Sequence, residues 1–397
     1  MYEAAPNPGG PLDRAFSQRC ADDPHAVYPD VLAECPVART VDPVWGATVV
    51  LSKYEDVLQA LKHPEIFSSK NVVNIGNDVP LLPLSVDPPD HAKYRRLLDP
   101  QFSPKRMAEL EPELRGLVHE IIDTFADRGE CDFNAEFATP LPSTVFLALM
   151  GLPQDDLPQF LQWRDDTIRP SGKTIEEQEA KRQAAGQAIE AYFEQAIEAK
   201  RANPDDRLLS TIVHGEVDGR PMTHAELIGT THLLLLGGLD TVTATLDCMI
   251  VYLAQHPERR QAVVDDPSLI PAAVEELLRH QTPVMMVPRI VAQDTVIGGV
   301  EMKKGDSATL LIGAANADDA EFGDACVARF DREANRHLAF GGGPHRCLGS
   351  HLARLELCVA LEEFHKRIPE YRLADDTQIR FSPGIRQAQK LPLVFSQ

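Results

Sequence analysis

The chain has 397 residues, of which 43% are hydrophobic, and its formal net charge at pH 7 is −21. This length is enough for a large core, and we expect one domain over residues 1–397. The negative charge argues against nucleic acid and anionic membrane surfaces as partners. The seven scattered cysteines show no paired spacing, which argues against a disulfide framework and favours a reducing, cytoplasmic location.

The N-terminal residues, beginning Met1-Tyr2-Glu3, contain neither the basic nor the apolar region of a secretory signal. We also identify no apolar stretch of the length needed to span a bilayer. We therefore expect a soluble protein without membrane association.

Hydrophobic periodicity predicts a mainly α chain with small β-sheets. In chain order, helices are predicted over residues 54–62, 104–127, 142–150, 176–201 and 350–366. Strands are predicted over residues 48–51, 294–297, 307–312 and 391–395.

One predicted helix is unusually long. The sequence Thr223-His-Ala-Glu226 is a capping box, and the apolar pattern then continues to His256, where Pro257 ends it. About 33 residues at 1.5 Å each give roughly 50 Å, enough to cross the body of the protein. We expect this central helix to be continuous.

The middle of the central helix contains residues that a plain core helix rarely uses. Gly237 and Gly238 weaken a helix, and Asp240 and Thr241 follow them directly. Such local conflicts often mark a functional site. The alternative is that the glycines only allow close packing of a neighbouring helix.

A second unusual segment is Phe340-Gly-Gly-Gly-Pro-His-Arg-Cys347-Leu-Gly349. Its glycines allow close backbone approach to a flat ligand, and its cysteine precedes a helix N-terminus, which favours the thiolate. Two other interpretations exist. The cysteine could be a buried structural residue, or a zinc ion could be bound by His345, Cys347, His351 and Cys358, although these spacings fit zinc sites poorly.

This segment resembles the haem-binding signature of the cytochrome P450 family at every fixed position. The resemblance implies the fold of that family, with the long central helix over a buried haem b, and Cys347 as the axial ligand of the haem iron. It also places Phe340, Gly341 and Gly349 against the haem. Gly237 and Gly238 would leave room for O₂.

The resemblance assigns the remaining site residues. Asp240 would relay protons, and Thr241 would hydrogen-bond the iron-bound oxygen and a proton-bearing water. The haem propionates would be bound by four cationic side chains, which are His91 and Arg95 in the Asp-Pro-Pro-x-His segment, Arg289, and His345. Outside the catalytic site, a structural ion-pair network would join Glu276, Arg279 and Arg332.

The implied function is a monooxygenase that inserts one oxygen atom from O₂ into a hydrophobic small molecule, such as a terpenoid, fatty acid, steroid or aromatic compound. Electrons would come from a ferredoxin and its NAD(P)H-dependent reductase, and the protein would be a monomer. A basic docking patch is predicted from Arg96, Lys105, Arg106, Arg346 and Arg354. The alternatives are a peroxide-driven peroxygenase, which the Asp240–Thr241 pair argues against, and a haem sensor or carrier without turnover.

Mostly apolar segments would contact the substrate, with Arg169 and Arg386 as possible partners of a substrate carboxylate. These segments are residues 72–84, 160–169, 233–241, 284–287 and 384–385.

Overall fold

The computed structural model describes residues 10–42, 46–70, 72, 79–375 and 377–396, and most of these residues are helical or lie between helices. The α-helices are Pro11–Ala15, Gln18–Asp22, Tyr28–Glu34, Tyr54–Lys62, Asp90–Leu98, Pro104–Asp123, Pro140–Met150, Leu157–Ile168, Ile175–Ala202, Leu208–Val213, His224–Leu239, Thr241–Gln255, Pro257–Asp265, Ile270–Gln281, Ile312–Asn316, Asp319–Phe322 and Ser350–Arg367. The mainly α prediction is confirmed.

The strands form small sheets at the edge of the helical body. The largest sheet has five strands in the order Val37–Asp42, Gly46–Leu51, Ser307–Leu310, Val287–Val291 and Phe67–Ser68. Its second and third strands are parallel, and the other neighbours are antiparallel. A three-stranded antiparallel sheet contains Tyr371–Leu373, Pro392–Phe395 and Glu130–Asp132, and two hairpins join Glu216–Val217 to Arg220–Pro221 and Thr295–Ile297 to Val300–Met302.

Most predicted elements appear within a few residues of their expected bounds. The helix over 54–62 is found at Tyr54–Lys62, and that over 176–201 at Ile175–Ala202. The helix over 104–127 ends earlier, at Asp123, because a 3₁₀ turn at Ala126–Arg128 and Gly129 follow it. Gly129 has a φ of +71°, a left-handed conformation that favours glycine.

The central helix is not continuous, so that prediction was wrong. It consists of His224–Leu239 and Thr241–Gln255, which we call the central helices, and Asp240 separates them with φ −122° and ψ −39°. Side chains bond to carbonyls at the break. Thr241 donates its hydroxyl to Gly237 O at 3.2 Å, and Arg164 donates to Leu239 O at 3.4 Å. A continuous helix would satisfy these carbonyls with its own N–H groups.

The central helices lie in the core. Most of Thr241–Gln255 is buried, and it packs against the helices Ile270–Gln281 and Ser350–Arg367. The stretch His224–Gln255 is long and apolar enough to cross a membrane, contrary to the sequence-based judgement, but 72% of its most apolar window is buried inside the protein. Burial on this scale identifies a core helix pair.

Candidate functional site

The segment from Leu338 to Gly349, which we call the cysteine loop, is fixed by close backbone approaches. Cys347 N–H donates to Phe340 O at 2.9 Å and closes the loop. Gly343 has φ +64°, and a Cβ there would lie 2.3 Å from Leu61 O. Only glycine fits at that position, since both the backbone conformation and the space exclude a side chain. The helix Ser350–Arg367 begins directly after the loop.

The thiol of Cys347 is accessible at the surface of the cysteine loop. Its side chain keeps accessible surface, yet the surrounding protein is dense enough that burial raises the pKa of the thiol. The backbone N–H of Gly349 and the guanidinium groups of Arg95 and Arg346 act in the opposite direction. The groups that favour the thiolate are therefore present, but burial has the larger effect on the pKa and keeps the thiol protonated. A bound metal cation would reverse this by stabilising the negative charge of the thiolate.

The two glycines of the central helices have different environments. A Cβ on Gly237 would meet no atom within 4 Å, so this position faces open space. A Cβ on Gly238 would lie 2.6 Å from Cδ2 of Phe146, so this position allows close packing. Gly238 therefore fits the packing alternative and not the predicted room for O₂, whereas the role of Gly237 stays a prediction that the open space allows.

Asp240 is fully buried and bound to arginine. Both of its oxygens accept hydrogen bonds from Nη2 of Arg169, at 2.8 and 2.7 Å, and Nε of Arg164 lies 4.0 Å away. The Arg169 side chain is 26% exposed and so lies between the buried carboxylate and solvent. This pairing was not predicted, because 71 residues separate the partners along the chain. It also makes Arg169 unavailable to a substrate carboxylate.

Four predicted cationic groups come together beside the cysteine loop. The rings of His91 and His345 lie 4.3 Å apart between centroids, and both histidines have a lowered pKa, caused first by burial. Arg289 and Arg95 further depress the pKa of His345, which falls to about 4. Arg95 itself donates to Asp99 at 2.6 Å and to Arg346 O at 2.8 Å.

Two members of this cluster lack the partners that buried polar groups require. Arg289 is buried, its Nη1 donates to Pro288 O at 2.7 Å, and burial lowers its pKa to about 10. Nε2 of His345 is buried without a hydrogen-bond partner and lies 3.8 Å from Asp87. A buried guanidinium without an ion-pair partner is costly, and the unpartnered Nε2 of His345 can form a hydrogen bond to an oxygen atom, so these groups fit an anionic ligand. Together with the open space at Gly237 and Gly349, they fit a flat ligand that carries carboxylates.

The predicted structural network is confirmed. Arg279 donates to both oxygens of Glu276 at 2.9 and 2.7 Å, and Arg332 donates to the same carboxylate at 3.1 Å. Asn335 adds a further hydrogen bond at 3.0 Å. Arg279 also bonds the carbonyls of Asn316 and Ala325, which connects the helix Ile270–Gln281 to the chain that leads into the cysteine loop.

Several other predictions do not agree with the structure. In the part of the chain that the structure describes, no group of three His, Cys, Asp or Glu side chains is arranged to hold a metal, so the zinc interpretation is wrong. Phe160 and Met285 were expected to contact substrate, but they belong to hydrophobic core clusters. Arg386 is buried and bonds backbone carbonyls. Within the segment 72–84, residues 73–78 lie outside the described residues.

The predicted basic patch is largely neutralised. Arg96 pairs with Asp218, Arg106 with Glu109, and Arg354 with Glu275. Arg346 remains exposed and lines a cavity of about 810 Å³ beside the cysteine loop, together with Lys53 and Lys62. These three cations have no ion pair with any described residue, although Glu55, Asp318 and Glu321 also line the cavity. Of the predicted patch, Arg346 and the exposed Lys105 stay without an ion pair to a described residue.

Comparison with known proteins gives consistent results. The family model described as "Cytochrome P450" matches residues 38–266 and 264–367. A steroid C26-monooxygenase of Mycolicibacterium smegmatis is 36% identical over 368 residues, covering 91% of this chain and 90% of the relative. A mycinamicin IV hydroxylase/epoxidase of Micromonospora griseorubida is 35% identical over 375 residues, covering 91% and 92%. Among solved structures, a myxobacterial cytochrome P450 in complex with myristic acid has a TM-score of 0.90 and 30% identity, covering 97% of this chain and 100% of the other.

Proposed function

The chain belongs to the cytochrome P450 family, and from that premise we propose that it is a ferredoxin-dependent monooxygenase of an apolar small molecule, with Cys347 as the ligand of its haem b. Members of the family are monooxygenases that bind haem b through a cysteine thiolate, and act on hydrophobic substrates with O₂ and electron-transfer partners. When bound, the haem supplies the iron at which O₂ is activated. The remaining steps depend on residues of this chain.

The observation that carries the proposal is the cysteine loop together with the cationic cluster beside it. The Cys347 thiol is accessible, the buried Arg289 has no ion-pair partner among the described residues, and Nε2 of His345 is buried without a hydrogen-bond partner. A haem would supply both an iron for the thiolate and carboxylates for the cations. We assign the propionates to His91, Arg95, Arg289 and His345, and assign Phe340, Gly341 and Gly349 to the faces of the ring.

We assign proton delivery to Asp240 and Thr241. The break between the central helices places the Thr241 hydroxyl on Gly237 O, next to the open space at Gly237. Asp240 is shielded from solvent by Arg169, whose side chain is partly exposed. A swing of Arg169 toward solvent would free the carboxylate to exchange protons while the bound substrate remains shielded. A general acid positioned in this way contributes about 10²–10⁴-fold to a rate.

This proton-delivery role also separates the proposal from a peroxygenase, which receives its oxygen with the protons already present. We expect Thr241→Ala to retain haem but to release more of the supplied electrons as hydrogen peroxide. The check is the ratio of product to electron donor consumed, with Thr245→Ala as the control. Thr245 donates to Thr241 O at 2.7 Å from one turn further along the same helix. Unchanged coupling in Thr241→Ala would overturn this role.

We propose a steroid, a long-chain fatty acid or a macrocyclic polyketide as the substrate class. The named activities of the relatives and the ligand of the structural neighbour support this range. The partly buried apolar side chains of Leu233, Leu234, Val284 and Ile385 support an apolar body. The experiment is a titration of each class into the haem-loaded protein, where displacement of the iron-bound water shifts the Soret band. A terpenoid or small aromatic compound that alone shifts the band would contradict the substrate class.

We propose that a ferredoxin docks at Lys53, Lys62 and Arg346. Ferredoxins are usually acidic, and this chain is itself strongly acidic, so docking requires a local surface of opposite charge. Charge reversal by Arg346→Glu should reduce ferredoxin-driven reduction several-fold at low salt and remove most of its salt dependence. Lys173→Glu is the matched control, since it changes the net charge equally at an exposed position that does not line this cavity. Equal effects of the two variants would refute the docking site.

We also propose a soluble, cytoplasmic, monomeric protein consisting of a single domain. Among the described residues, the large hydrophobic side chains that are exposed are scattered along the chain and do not form one continuous segment. They are Val41, Ile175, Val296 and Val327. Size-exclusion chromatography with light scattering tests the monomer directly.

A further inference from the structure

Arg386 is a buried cation that the haem site does not use. Its residue surface is 2% exposed, and its side chain lies 4.7 Å over the ring of Phe381. Nε donates to Ala21 O at 2.8 Å, and Nη1 donates to Gln281 O at 2.6 Å. No carboxylate of the described chain lies within ion-pair distance of it, and Nη2 makes no hydrogen bond to a described residue.

Comparison with the other buried arginines shows why this is unusual. In the described chain, four arginines are buried, and two of them are paired with carboxylates, Arg164 with Asp165 and Arg279 with Glu276. The other two, Arg289 and Arg386, donate only to carbonyl oxygens. The haem propionates would supply Arg289 with a carboxylate partner. The proposed catalytic site supplies no such partner for Arg386.

The positive charge of Arg386 shifts the pKa values of neighbouring side chains. Burial lowers the pKa of His25 and His280, and the charge of Arg386 lowers it further. Burial raises the pKa of Cys20 and Cys248, and the charge of Arg386 opposes this rise. Arg386 therefore interacts with several neighbouring titratable groups, and none of these is a carboxylate in an ion pair with it. An anion placed beside it would remove an electrostatic cost that the fold otherwise bears.

A cavity of about 670 Å³ adjoins this cation. Arg386 lines it, as do the rings of Tyr252, His256 and Phe381 and apolar side chains that include Ile379. The volume is typical of small-molecule sites. Its lining residues include no member of the cysteine loop and neither Asp240 nor Thr241, so it is separate from the proposed catalytic site.

The rim of the cavity limits which anions fit. Asp22, Asp23 and Glu258 line it together with Arg259, and Asp22 is paired with Arg380. Acidic groups at the mouth disfavour small, strongly hydrated anions of high charge. An apolar body that lies against the rings and carries one carboxylate avoids that repulsion and reaches Arg386.

We propose that this cavity is a second ligand site, which binds a small organic monocarboxylate with an aromatic or apolar body through Arg386. The carboxylate accepts from Nη2, and the body packs against Tyr252, His256 and Phe381. The site does not depend on the haem chemistry, because none of its residues belongs to the proposed catalytic machinery.

The test is isothermal titration calorimetry on the haem-loaded protein with the haem iron occupied by saturating imidazole. The probe is 3-phenylpropionate, compared with the neutral 3-phenylpropanamide and with inorganic sulfate. We expect the carboxylate to bind at least about 10-fold more tightly than the amide, the factor expected from one charge-assisted hydrogen bond, and more tightly than sulfate. Equal binding of the amide would overturn the role of Arg386, and equal binding of sulfate would overturn the organic class.

Variants at the cavity mouth avoid disturbing the fold. Replacement of Arg386 removes hydrogen bonds to several carbonyls, so loss of binding in that variant alone would not separate binding from folding. Gln378 is exposed and lines the cavity. We expect Gln378→Glu to weaken 3-phenylpropionate binding about threefold and Gln378→Lys to strengthen it about threefold. Lys390→Glu, an exposed position that does not line the cavity, is the control, and identical affinities in all variants would refute the site.

Discussion

The two adjacent glycines of the central helices allow a matched pair of substitutions. In Gly238→Ala, the new Cβ would lie 2.6 Å from Cδ2 of Phe146, whereas in Gly237→Ala it would meet no atom within 4 Å. Carbon atoms at optimal contact are about 3.5–4.0 Å apart, so Phe146 must move by about 1 Å. Phe146 is 5% exposed and packs against the ring of Phe160, which restricts that movement.

The expected free-energy difference follows from this geometry. Overpacking of a core typically costs about 1–3 kcal/mol. Both substitutions gain at most about 1 kcal/mol of helix propensity, and this gain cancels when the two variants are compared. Gly238→Ala should therefore be less stable than Gly237→Ala by about 1–3 kcal/mol, which corresponds to a difference of roughly 1–4 °C in Tm for a domain of this size.

The assay is thermal unfolding of both variants and the unaltered protein at equal haem occupancy, followed by carbon monoxide binding to the reduced protein. We expect Gly237→Ala to unfold at or above the temperature of the unaltered protein and to bind carbon monoxide more weakly, because its methyl group enters the open space. Gly238→Ala should unfold at a lower temperature than the unaltered protein and should bind carbon monoxide as tightly as the unaltered protein does. The account is refuted if Gly237→Ala is the less stable variant, or if carbon monoxide binding is impaired only in Gly238→Ala.

Three further predictions test the surroundings of the site. Glu276→Gln should lower the free energy of unfolding by about 3–5 kcal/mol, because it leaves buried arginines without their carboxylate. Glu275→Gln, the control, should lower it by about 1 kcal/mol, because the Glu275 carboxylate is partly exposed. Similar losses of Tm in the two variants would contradict the buried network. Burial raises the pKa of Glu356 to about 8. The unfolded chain therefore loses this proton at a lower pH than the folded chain does. As a result, the free energy of unfolding should fall by about 1.4 kcal/mol for each pH unit from the ordinary glutamate pKa up to about 8. Urea unfolding of Glu356→Gln at pH 5 and pH 8 checks this, since the variant should lose that slope; an unchanged slope would assign the dependence to other groups. Arg289→Met should release haem to an excess of a haem-scavenging apoprotein at least about 10-fold faster, and an unchanged release rate would exclude Arg289 as a propionate partner.

The sequence predicted those parts of the fold that depend on local pattern. The bounds of Tyr54–Lys62 and Ile175–Ala202 followed from helical periodicity and strong helix formers. The capping box at Thr223 is present with both of its hydrogen bonds, because its geometry is local to four residues. Short strands such as Glu130–Asp132 carry too few residues for a pattern and depend on partners far along the chain.

The candidate site was predictable where a motif specifies it, and not where tertiary contacts decide. The pairing of Glu276 with Arg332 was predicted and is present, although Arg332 follows directly after Phe330-Asp331. The break at Asp240 was not predicted, and the Arg164 side chain that bonds to Leu239 O there comes from another helix. The sequence offered Arg386 as a partner of a substrate carboxylate but not the separate cavity beside it, because that cavity is lined by residues far apart along the chain.

The central claim is that Cys347 binds the haem iron as a thiolate. The most direct measurement is the absorption spectrum of the reduced protein with carbon monoxide, for the unaltered chain and for Cys347→His. The account predicts a long-wavelength Soret band in the unaltered protein and a Soret band at shorter wavelength in Cys347→His, with haem still bound through the imidazole. A long-wavelength band that persists in Cys347→His, or a protein that remains without haem after expression with a haem supply, would contradict it.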